Sequence, residues 1–195
     1  MVGNAQKEPM YRRIVNAWCM YDWANSAFAT TIMAAMFPPF YRSLAIAAGL
    51  GEADATAAWA YTTSLSLLAI AILAPVLGAI SDHTGGKKRF IAFFVALGVI
   101  ATGLFAVLGE DDFMLASFLF ALADVGFAGA NIFYESLLPH IAKKHDIDQV
   151  STRGYALGYL GGGILLILNV LWYMPVSYTH LRAHETVLDL VCRLL

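Results

Sequence analysis

Charge is what this chain has least of. Only 13% of its 195 residues are Asp, Glu, Lys or Arg, about half the share of a soluble domain. Cysteine is nearly absent. Cys19 and Cys192 are the two present, too few and too far apart to imply a disulfide framework. No leader-like segment with a short apolar core opens the chain: residues 1–13 are polar, and the run behind them is too long for one. Internal repeats, low-complexity stretches and a polar block of domain size are also missing. The formal net charge of -2 gives no basic excess for nucleic acid. No catalytic constellation, metal-ligand set or cofactor motif is expected.

What fills the chain is apolar. Hydrophobic residues make up 59% of it, and the mean hydropathy is +0.66. A soluble fold of this size has no interior large enough for that much apolar surface, so an all-α polytopic membrane protein is the expectation. Five apolar runs are expected as helices over about 14–37, 57–80, 90–108, 113–138 and 154–174. Each has about the 20 residues that cross a ~30 Å hydrocarbon core. Pro38-Pro39 and Pro139 are expected to close the first and fourth runs, and Pro75 is tolerable inside the second.

The few charges divide by side. Lys7, Arg12, Arg13, Lys87, Lys88, Arg89, Lys143, Lys144 and Arg153 fall on one side of the expected spans. Arg42 stands on the other, with Glu52, Asp54, Glu110, Asp111 and Asp112. By the positive-inside rule the 1–13 segment is cytoplasmic, and a prokaryotic cytoplasmic membrane is the expected location. After Pro175 the composition changes abruptly. Residues 175–195 hold Arg182, Glu185, Asp189 and Arg193 within a short distance. This tail is expected to be non-native and is left out of the functional argument.

Ionisable residues inside a span are costly, so they mark function or a structural seam. Asp22 lies ~12 Å from the cytoplasmic edge of the first span, and Asp124 ~14 Å from the same edge of the fourth. Asn25 and Ser26 share a helix face with Asp22. Asp124, Asn131 and Glu135 form one stripe of the fourth helix. Asp22, Asn25, Ser26, Asp124 and Asn131 are therefore candidates for a substrate or proton cavity, against the alternative of a hydrogen-bonded seam between helices. Glu135 lies nearer the inner surface, where it can pair with Lys87, Lys88 or Arg89. Gly154, Gly158 and Gly162, four apart, offer a smooth helix-packing face.

Between the second and third runs, Gly78, Asp82, Gly85, Lys87, Lys88 and Arg89 resemble the signature loop of the major facilitator superfamily, with His83 and Gly86 where cations are usual. The glycines of 154–163 resemble that superfamily's antiporter signature, except that Tyr159 replaces its proline. With segments 21–27, 37–41 and 131–139, the chain resembles the "unknown major facilitator" group, which includes autophagy-related vacuolar effluxer-like proteins. The resemblance covers about residues 10–174.

It implies the first five helices of the N-terminal six-helix half of a twelve-helix transporter, with helices one and four lining the central cavity. It also implies a secondary transporter of a small solute, with amino-acid efflux one candidate and a proton a candidate coupling ion. The chain would be a truncated, inactive fragment lacking the C-terminal half. The loop with Glu135 would act as a conformational latch. Two other classes stay open: an intramembrane enzyme using Asp22 and Asp124 as a carboxylate pair, and a non-transporting membrane scaffold.

Overall fold

A computed structural model describes residues 7–84, 86–109 and 111–194, with side chains for 9–80, 86–109 and 111–172. Every element among those described residues is helical, without strands, and short turns join them. The first helical run is α1 (Lys7–Ala27), a π-helical stretch (Phe28–Met36) and α2 (Phe37–Ala47). Long helices follow as α3 (Glu52–Thr84), α4 (Lys87–Gly103) with a 3₁₀ turn (Leu104–Val107), α5 (Phe113–Ile141) and α6 (Ile147–Leu194).

The helices run past the spans read from the sequence, for local reasons. Pro38-Pro39 does not close the first helix. The prolines sit in the first turn of α2, where a missing N–H costs nothing because that turn's N–H groups have no intrahelical partner. The wide π turn ahead of them hands over the hydrogen-bond ladder: the Phe37 N–H bonds the Ile32 carbonyl, five residues back. Pro139 likewise lies inside α5. The reversal comes later, after Ala47, where Gly49 takes a positive φ of 91° that a side chain would strain. Most of the expected 78–90 loop is helix: Gly78 belongs to α3, and Lys87, Lys88 and Arg89 form the first turn of α4. Cations there oppose the helix dipole, so their position answers to the membrane surface rather than to helix stability. The backbone of α6 stays helical beyond Pro175; the side chains of 175–195 lie outside the described residues.

Among the described residues, four helices are long and apolar enough to cross a membrane: Glu52–Ile80, Lys87–Val107, Phe113–Ile141 and Ile147–Trp172. The first expected span is helical but is not among them. Arg12, Arg13, Asn16, Asp22, Asn25 and Ser26 lower its hydropathy, and the π stretch interrupts it. Large apolar side chains such as Leu65, Leu68, Ile72, Val99 and Leu171 stand exposed on the outside of the bundle. In water that would be an aggregation surface; against hydrocarbon it is the outer face of a membrane protein.

Three helix pairs hold the bundle: α4 with α5, α1 with α6, and α3 with α5. Glycine sets two of these approaches. A Cβ on Gly126 of α5 would lie 2.5 Å from the Gly98 backbone nitrogen of α4. Cβ atoms on Gly154 and Gly161 of α6 would lie 2.5 Å from the Trp18 ring and 2.6 Å from the Trp23 ring of α1. Such contact replaces the hydrophobic effect, which lipid does not supply between helices. Aromatic clusters close both ends. Phe37, Tyr41, Trp59 and Phe120 pack near one end. At the other, the rings of Trp18 and Tyr21 each stack on Tyr134 at 4.5 Å.

Candidate functional site, a polar pocket inside the bundle

The polar residues of α1 converge on a pocket of about 480 Å³ between α1, the inner half of α5 and α6. Asp22, Asn25, Ser26 and Thr30 line it from the first helical run, Asn131 and Glu135 from α5, and Ser151, Tyr155 and Tyr159 from α6. Helical spacing explains the grouping. Residues three and four apart share a face, which aligns Asp22 with Asn25 and Ser26, and Asn131 with Glu135.

Some of these groups are tied down and some are not. The Asn25 amide donates to the Asn131 side-chain oxygen at 2.6 Å, joining α1 to α5. Thr30 donates its hydroxyl to the Ser26 carbonyl at 2.9 Å or the Gly162 carbonyl at 3.2 Å. Trp18 and Tyr134 form a reciprocal pair beneath the pocket: the Trp18 indole donates to the Tyr134 carbonyl at 3.2 Å, and the Tyr134 hydroxyl donates to the Trp18 carbonyl at 3.1 Å. Glu135 accepts one long bond, 3.5 Å, from the Tyr155 hydroxyl. Asp22 makes no hydrogen bond or ion pair among the described residues. Its room comes from Gly158, where a Cβ would sit 2.6 Å from an Asp22 carboxylate oxygen and 2.7 Å from Ser26 Oγ. The glycine face of α6 thus does two things, letting α1 approach and leaving space for the carboxylate.

Asp124 is not part of this pocket. It is 3% exposed and accepts a hydrogen bond from Ser66 of α3, itself 2% exposed. The shared depth and shared stripe that suggested one cavity for Asp22 and Asp124 do not bring them together. Asp124 lies seven residues, ~10 Å, outward of Asn131 along α5. There the stripe meets Ser66 of α3 instead of the pocket, because the Asn25–Asn131 bond sets α1 beside Asn131 and not beside Asp124. Nearby, the Tyr41 hydroxyl joins Ser117 at 2.8 Å and Thr62 at 3.1 Å, so α3 and α5 are linked to the first helical run by small polar contacts. An Asp22–Asp124 carboxylate pair, which the enzyme alternative requires, is not formed.

Glu135 is expected in the latch because it lies near the inner surface; in the structure it lines the pocket with Asp22. The signal was present in its four-residue spacing from Asn131. Lys87 reaches the same level by donating to the Ser136 carbonyl at 3.3 Å. The side chain of Asp82, and Gly85 altogether, lie outside the described residues. Tyr155 and Tyr159 escaped sequence reading because they flank glycines that drew attention to packing. A second, apolar cavity of about 640 Å³ adjoins the pocket and shares Asn25 and Phe127 with it.

Helices long and apolar enough to cross a membrane, joined through glycine contacts around a pocket lined by half-buried polar groups, describe a multi-pass membrane protein. The chain belongs to the family described as "Vacuole effluxer Atg22 like", which matches residues 10–192. It is 39% identical over 155 residues to "Uncharacterized MFS-type transporter YxiO" of Bacillus subtilis (strain 168), covering 80% of this chain and 36% of that protein. It is 31% identical over 97 residues to "Autophagy-related protein 22-1" of Penicillium rubens, covering 49% of this chain and 16% of that protein. "Autophagy-related protein 22" of Coccidioides immitis is 32% identical over 95 residues, 48% of this chain and 16% of that protein. The chain therefore spans about a third or less of the length of these relatives. No solved structure matches it.

Proposed function

We propose that this chain forms the first part of a secondary transporter that moves a small solute by alternating access, and that the Asp22 pocket is its share of the solute path. The observation that carries this reading is an intramembrane carboxylate with no protein partner, opening onto a polar pocket beside a second carboxylate. Lipid would penalise such a group heavily if it served packing alone. Asn25, Ser26 and Asn131 would supply hydrogen bonds to the solute, and Asp22 with Glu135 would hold charge or a coupling proton. Efflux of amino acids is the substrate reading that the family description suggests. The complementary half of the path would come from the rest of a protein of the relatives' length, so the 195-residue chain alone would not transport.

The N-terminal segment would be cytoplasmic, as would the Lys87-Lys88-Arg89 turn. Asp82, ahead of that turn near the end of α3, would cap a helix of the complementary half and act as a latch between conformations. In a full-length transporter carrying this chain, Asp22→Asn should abolish solute movement while leaving membrane insertion and yield intact. Transport at the parental rate would reject the assignment of Asp22 to the path. Asp82→Asn should slow transport without loss of insertion; an unchanged rate would reject the latch.

A further inference from the structure

The charges around the pocket all have one sign. Asp22 and Glu135 face it, and no lysine, arginine or histidine lines it among the described residues. Arg153, two residues from Tyr155, lines a separate groove with Tyr11, Arg12 and Asp146. Lys87 donates to the Ser136 carbonyl and does not line the pocket. The remaining polar groups of the pocket are hydroxyls and amides, which turn to suit either sign. Tyr155 and Tyr159 stand on its open side, 53% and 77% exposed. Their ring faces add negative potential where a cation would enter.

We infer that the Asp22 pocket binds the positively charged ammonium group of an organic amine. This deepens the transporter reading and rests on it for its physiological meaning, but the binding step is separable from transport. Two carboxylates lining one pocket repel each other, and a cation between them relieves that repulsion while gaining charge-assisted hydrogen bonds. An anion would meet the opposite: like charge from both acids and no donor stronger than a hydroxyl or an amide. A neutral solute would leave the two carboxylates uncompensated. The pocket volume of about 480 Å³ accommodates a compact amine together with water. Asn25, locked to Asn131, holds α1 and α5 at the spacing that lets Asp22 and Glu135 address one group.

The test uses the full 195-residue chain in lipid nanodiscs, titrated with cyclohexylammonium, cyclohexanol and cyclohexanecarboxylate. The three share a ring and differ in charge. Tryptophan fluorescence reads binding, because Trp18 lines the pocket. Saturable binding of the ammonium alone is expected. Asp22→Asn and Glu135→Gln should each weaken it about tenfold or more, the factor carried by one charge-assisted hydrogen bond. Asp22→Glu, which restores the charge, should recover most of the affinity. Equal response to all three compounds, or ammonium binding unchanged in both neutral variants, would overturn the inference. Thermal melting of each variant separates lost binding from lost folding. Should Asp22→Asn misfold, Glu135→Gln decides alone. A full-length transporter that needs Asp22, together with a pocket that ignores the ammonium, would refute the amine and leave the transporter reading standing. Ammonium binding with transport indifferent to Asp22 would do the reverse.

Discussion

Asp22 and Asp124 are the same residue type on helices of one bundle, yet the bundle treats them differently. Asp124 is enclosed between α3 and α5 with a serine hydroxyl as its partner. Asp22 has no partner and faces a pocket that a glycine keeps open. The first arrangement resembles a dry interhelical seam, whose hydrogen bonds contribute little because an unfolded helix in lipid finds substitutes. The second leaves a charge for something that is not part of the chain. The residue type therefore does not assign a role to an acid; the helix it faces does.

The comparison can be broken most forcefully at Gly158. A valine there would collide with Asp22 and Ser26, and overpacking of this kind costs about 1–3 kcal/mol. Unfolding of Gly158→Val in detergent should show that loss, together with loss of whatever binds at the pocket. Asp124→Ala removes the seam bond and should cost less, about 1 kcal/mol, with binding at the pocket unchanged. Altered pocket binding in Asp124→Ala would merge the two regions into one. Asn25→Ala severs the tie to Asn131 and should cost about 0.6 kcal/mol, while weakening ligand binding more than that figure suggests, because Asp22 and Glu135 lose their common spacing.

The smallest effect belongs outside the membrane span. Tyr11→Phe loses the 2.9 Å bond to Asp146 and should lower stability by about 0.5 kcal/mol. Burial, then the Asp146 hydrogen bond, holds the Tyr11 hydroxyl above the usual tyrosine range. Its contribution is therefore complete below that range and is lost as pH rises through the raised value. A wild-type minus Tyr11→Phe stability difference that grows at alkaline pH would contradict this.

Much of the bundle was legible because membrane helices announce themselves by length and hydropathy, and because glycines at four-residue spacing lie on one face. Gly154, Gly158 and Gly162 are the contacts that bring α6 against α1. The π stretch was not legible. Pro38-Pro39 reads as a stop unless the turn before it widens, and nothing in Phe28–Met36 advertises five-residue hydrogen bonding. Asn25 and Asn131 could be placed on their helix faces, and the structure joins them. Asp124 defeats the same reasoning: a 3.6-residue period puts it on the face of Asn131, and only the register between helices decides that one meets α1 and the other α3. Glu135 had the right spacing but was read by its depth, which pointed to the surface cations instead of to Asp22.

The contrast between an open carboxylate and an enclosed one is best tested by access from water. In the chain with Cys19 and Cys192 replaced by serine, single cysteines would stand in for Asp22 and for Asp124, and membranes would be treated with a hydrophilic thiosulfonate reagent. The account predicts rapid labelling at position 22 and no labelling at position 124. Equal labelling at both positions, or labelling at 124 alone, would contradict it.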